Sequence, residues 1–120
     1  GLFKMQSETI RKIAEQGPAI IVGRCSDYIL RDMGNTLNVF LTSPLEVRAA
    51  RIAERTGVSL EDAEKIAEDK DRKRSDYYNY YTFGNWGHAS TYDLCLDSSL
   101  LGIEGTADFI IDFARKAGKL

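Results

Sequence analysis

Residues 63–86, AEKIAEDKDRKRSDYYNYYTFGNW, place a run of charges from Asp69 to Arg74 directly before four tyrosines. On a helix Lys70 and Arg74 lie one turn apart and Asp71 and Arg74 are neighbours at i, i+3. A basic fork and one carboxylate therefore point the same way. Such a fork suits a phosphorylated sugar. The cations meet phosphate oxygens through charge-assisted hydrogen bonds, arginine in bidentate fashion, and Asp71 can accept from a ribose hydroxyl. The same spacing also describes a solvated helix face laced with ion pairs worth about 0.3 kcal/mol each.

Further cations recur elsewhere at meaningful positions. Arg48, Arg51 and Arg55 stand at i, i+3, i+7, a row on one helix face. A row of this kind is usually solvated, but it adds phosphate-binding charge if it faces the same cleft as Lys70 to Arg74. Arg24 follows the apolar run Ala19 to Val22 and Gly23. A residue at the carboxyl end of a buried parallel strand sits where open α/β sheets bind ligands.

The elements that must position these residues follow from periodicity. Leu2 to Gln16 carries apolar residues near helical spacing and is stopped by Gly17-Pro18. Ala19 to Val22 reads as a strand buried on both faces, Cys25 to Met33 as a short helical excursion, and Leu37 to Leu41 as a second buried strand. Ser43-Pro44-Leu45-Glu46 predicts a capped helix start, with Val47, Ala50, Ile52 and Ala53 as its apolar stripe. Gly57 ends that helix, and Ser59 caps another running to about Tyr80. The tyrosines 77, 78, 80 and 81 surround this second helix, which points to a segment that docks on something or moves. Together with Trp86 they read as packing groups. Tyr92 to Asp97 predicts a third strand, with Cys95 as a small buried residue, and Ile103 to Lys116 a helix whose core stripe is Ile103, Ala107, Ile110, Ile111 and Ala114.

Composition sets the outer bounds. A chain of 120 residues, 43% hydrophobic and 28% charged, has the profile of one ordinary globular domain. Its formal charge of −2 lacks the basic footprint of a nucleic-acid binder. Cys25 and Cys95 are far apart, with no CxxC and a single histidine, so neither a zinc site nor a disulfide scaffold is indicated. No apolar run has the length of a membrane span, and a cytoplasmic setting is expected.

Four blocks in order, GPAIIVGRCSDYIL, NVFLTSPLEVRAARI, DKDRKRSDYYNYYTFGNWG and YDLCLDSSLLGIEGT, resemble the cytidylate kinase-like family, relatives of the bacterial CMP kinases among the P-loop nucleoside monophosphate kinases. The resemblance covers the chain from Phe3 to about Phe113. It implies magnesium-dependent transfer of a phosphoryl group from ATP to a nucleoside monophosphate such as CMP. The implied fold is α/β, a three-layer P-loop NTPase-like parallel sheet with flanking helices and a helical lid. Within it, Arg24, Asp71 and Arg74 match binders of the acceptor nucleotide's phosphate and ribose. Lys70 and Arg72 match lid cations, and Arg48 and Arg51 match arginines that approach the transferred phosphate. Two positions depart from the bacterial pattern: Cys25 stands where GRD has its aspartate, and Ala67 where an arginine precedes the DxxR block.

The family's glycine-rich GxxxxGK(S/T) loop occurs nowhere in the 120 residues, and the block order places it upstream of Gly1. The resemblance thus implies one incomplete domain over residues 1–120, lacking the N-terminal βα unit, with a lid-like segment at 59–90. Such a chain is expected to be inactive alone, to bind ATP and Mg2+ tightly only as part of the full-length protein, and to self-associate through the uncovered face. A non-catalytic nucleotide-binding or protein-interaction module is the alternative.

Overall fold

The computed structural model describes residues 1–120. Five helices and two strands follow in the order α1 (Leu2–Glu15), α2 (Ser26–Ile29), β1 (Val39–Thr42), α3 (Leu45–Thr56), α4 (Leu60–Thr82), β2 (Leu94–Asp97) and α5 (Gly102–Lys116), with a 3₁₀ turn at Ala89–Thr91 before β2. The strands pair in parallel, Val39 opposite Leu94 through Thr42 opposite Asp97. The connection between them holds α3 and α4, as a parallel pair requires a long crossover.

The expected three-stranded sheet is reduced to two strands. Residues 19–22 form no regular element and make no backbone hydrogen bond. Ile20 is 96% and Val22 87% exposed, and only Ile21 packs inward. The pattern expressed a strand's burial preference, yet a strand forms only where a neighbouring backbone completes its ladder. β1 and β2 pair only with each other, so each keeps a free edge. For the same reason β1 is half-exposed rather than buried, and Cys95 in β2 is exposed. The predicted stripe on α5 also turns largely to solvent. Ala114 and Thr106 are buried, whereas Ile103 and Ile111 are exposed, because two strands are too narrow a floor to cover the helix.

Helix boundaries follow local chemistry more closely. Gly57 closes α3 in a left-handed conformation (φ 79°), its N–H donating to the Ala53 carbonyl at 2.8 Å. The Ser59 hydroxyl accepts from the Asp62 N–H at 3.1 Å and caps α4, with Glu61 and Asp62 at the positive end of the helix dipole. The predicted cap at Ser43 does not form. Pro44 stays extended (φ −56°, ψ 146°), so α3 starts one residue later and the Ser43 side chain makes no cap bond.

Two apolar clusters hold the chain, and α4 joins them. Its first half places Ala63 and Ala67 against Ala49 and Ile52 of α3; small residues on both helices permit close approach. Its second half places Tyr78 among Ile10 of α1, Cys25, Ile29 and Leu30, with Phe3, Tyr77, Tyr81 and Trp86 around them. Three of the four tyrosines are thereby packed or bonded, whereas Tyr80 stays 74% exposed and meets only the edge of Tyr81. Tyr81 stacks on Phe3 at 4.2 Å, Tyr77 donates to Gln6 Oε1 at 3.0 Å, and Tyr78 donates to Asp27 Oδ2 at 2.7 Å. At 1.5 Å per residue, the 23 residues of α4 make a strut about 34 Å long.

Candidate active site

Asp71 and Arg74 lie on α4 between the two clusters. The Asp71 carboxylate is shared: Oδ2 accepts from Arg48 Nη1 of α3 at 2.7 Å, and Oδ1 accepts from Arg74 Nη2 at 2.6 Å. Arg48 Nε also donates to the Ser43 carbonyl at 3.1 Å, so its guanidinium is held from two sides. Burial pushes the Asp71 carboxyl up, but the hydrogen bonds and charges of Arg48 and Arg74 outweigh it and hold the group below the ordinary carboxylate value. The Arg74 guanidinium lies 5.4 Å from the Trp86 ring centroid. A cation over an indole at this distance gains about 0.5–1 kcal/mol when exposed. Trp86 itself packs edge-on against Phe40 of β1 at 5.1 Å.

Beside this triad an open cleft of about 270 Å³ is lined by Arg48, Arg51, Ile52, Arg55, Ala67, Lys70 and Arg74. The arginine row of α3 and the basic fork of α4 thus face one space, the arrangement that spacing alone left undecided. Five cations around one paired carboxylate form a site for a multiply charged anion with room for bidentate contacts. Arg72 stands apart, paired with Asp69 at 2.7 Å on the exposed side of α4. Arg55, read only as a member of a row, lines the cleft.

Arg24 is placed elsewhere. It lines a separate depression of about 400 Å³ with Leu2, Met5, Gln6, Thr9 and Ile10 of α1. Gly23, Arg24 and Cys25 form a left-handed turn, φ 69°, 57° and 59°. For the two non-glycine residues this conformation costs roughly 1–2 kcal/mol each. The turn is over-determined from inside: Cys25 is buried in the α1/α2 cluster, its thiol pushed up to about 11 by burial and by the neighbouring Asp27 charge, while Arg24 is left exposed. No three His, Cys, Asp or Glu side chains converge anywhere in the chain.

The model of the Cytidylate kinase-like family matches residues 1–100. Among curated proteins, the chain is 36% identical over 93 residues to the cytidylate kinase of Pyrococcus horikoshii, covering 77% of this chain and 47% of that protein. It is 32% identical over 98 residues to the cytidylate kinase of Methanopyrus kandleri, covering 74% and 50%. Among solved structures, an uncharacterized protein from Eubacterium ventriosum superposes with a TM-score of 0.85 at 30% identity, covering 95% of this chain and 65% of that one. The chain spans about half the length of these curated relatives. No helix is long and apolar enough to cross a membrane. With its four sequence blocks, its basic cleft and these relatives in agreement, the chain belongs to the cytidylate kinase-like family.

Proposed function

We propose that this chain supplies the acceptor-binding and charge-neutralising side of an ATP-dependent nucleoside monophosphate kinase acting on a CMP-like acceptor. The observation that carries this reading is the convergence of Arg48, Arg51, Arg55, Lys70 and Arg74 on one cleft beside the Asp71 carboxylate. In phosphoryl transfer an oxygen of the acceptor phosphate attacks the terminal phosphorus of ATP, the bond to the bridging oxygen breaks, and ADP leaves. Positioning and charge stabilisation are most of the catalytic work. Arg74 and Arg48 hold the acceptor phosphate, and Asp71 takes a ribose hydroxyl with the lone pairs its arginine partners leave free. Lys70, Arg51 and Arg55 offset charge on the phosphoryl group in flight. Magnesium, as the counter-charge to the ATP phosphates, belongs to the whole enzyme, and none of these residue roles depends on it.

Residues 59–90 act in this reading as a lid, and Arg24 binds the acceptor from the far side. The chain alone is expected to bind CMP weakly and to transfer no phosphate. Titration calorimetry with CMP tests the reading. Arg74→Ala should weaken binding by about 10- to 100-fold, the loss of a charge-assisted bond, while Arg72→Ala stays within about twofold, as for an exposed ion pair. Equal effects of the two substitutions overturn the assignment.

A further inference from the structure

The two sides of the binding surface sit on different structural units. Arg24 belongs to the left-handed turn before α2, whereas Asp71 and Arg74 belong to α4, whose first half packs on α3. One carboxylate spans the gap. Asp27, three residues beyond Arg24, accepts from its own α2 backbone, the Tyr28 N–H, through Oδ1 at 2.9 Å and from the Tyr78 hydroxyl through Oδ2 at 2.7 Å. Tyr78 is 8% exposed and stands one helical turn beyond Arg74, on the same side of α4. Its ring is further confined at Gly84, where an added Cβ would lie 3.3 Å from Tyr78 Cε1, and the Thr82 hydroxyl bonds the Tyr78 backbone carbonyl at 2.7 Å.

We propose that Asp27 and Tyr78 are positioning residues that set the rotation and register of α4 against the Arg24 turn, and so the span between Arg24 and Arg74 that a nucleoside monophosphate must bridge. The proposal rests on the acceptor-binding reading above for its ligand, but not for its geometry. An apolar contact alone permits a helix to slide or roll by a fraction of a turn, because dispersion is non-directional. A buried phenol aimed at a carboxylate is directional, and a small roll breaks it. Asp27 touches neither cleft, so its effect passes through Tyr78. Burial and the hydrogen bond to Asp27 both push the phenol well above its ordinary value, so the donor stays protonated across the physiological range.

A double-mutant cycle separates positioning from mere stability. Tyr78→Phe should weaken CMP binding on the order of tenfold, and less than about twofold in an Arg24→Ala background, where the span no longer matters. Asp27→Ala should match Tyr78→Phe, and the double variant should lose no more than either substitution alone. Equal losses in both backgrounds would show a general structural effect and overturn the proposal. A second measurement needs no nucleotide: spin labels at Arg31→Cys and Lys73→Cys in a Cys95→Ser background report the span directly, Cys25 being buried. Tyr78→Phe should broaden a narrow distance distribution. An unchanged distribution overturns the proposal even if CMP binds, whereas broadening without any CMP binding supports the tether and overturns only the acceptor reading.

Discussion

Replacing Asp71 by asparagine separates two roles that its position combines. The carboxylate holds Arg48 at 2.7 Å and Arg74 at 2.6 Å, so it occupies guanidinium edges that a phosphate would otherwise take, and it places a negative charge beside the incoming anion. A phosphate bound to the same two guanidiniums lies about 5 Å from that charge. In a solvent-like dielectric the repulsion is about 0.8 kcal/mol per phosphate charge, or about fourfold in affinity. Screening at physiological salt reduces this to about twofold. Pyrophosphate, which has no ribose and carries more than one charge, should therefore bind Asp71→Asn at least about two- to fourfold more tightly than the parent, with the larger gain at low salt. CMP should bind the same variant up to about tenfold more weakly, because a ribose hydroxyl loses its charged acceptor. Titration calorimetry with both ligands at two salt concentrations reads the contrast. If pyrophosphate also binds more weakly, Asp71 serves to order the arginines rather than to compete with phosphate, and the charge argument fails.

Other predictions follow from burial and charge. Because the folded-state value of Asp71 is depressed, its pairing stabilises the fold above the unfolded carboxylate value near 4 and is lost as pH falls through the lower folded value. The Tm advantage of the parent over Asp71→Asn should therefore be flat near neutral pH and shrink only below about pH 4 in thermal scans. Ala63 is fully buried where α4 meets α3, so Ala63→Leu should cost about 1–3 kcal/mol through overpacking, measured by denaturant unfolding; a neutral result would show that the two helices are not in close contact. Cys95 is exposed, whereas Cys25 is buried with its thiol pushed up to about 11. A thiol reagent at neutral pH should thus modify one cysteine rapidly and the second only on unfolding, and two fast equivalents would contradict the packing of the Arg24 turn.

Local chemistry made much of this molecule legible in advance. The capping serine at position 59, the glycine after α3 and the i, i+3 spacing of Asp71 and Arg74 act within one or two turns of chain, and each forms as expected. The order of the four blocks likewise sufficed for the family, since it depends on residue identity rather than on contacts. What the folded chain alone decided is nonlocal. The run at 19–22 has a strand's composition but no ladder partner, and whether the arginine row of α3 faces solvent or Lys70 depended on how two helices pack. Arg48 reaches Asp71 across 23 residues, and Asp27 reaches Tyr78 across 51. Amino-acid type and period determine which helices and caps can form, because those forces act between neighbours; pairing, burial of a sheet and the meeting of charges from separate elements depend on surfaces that exist only once the helices have packed.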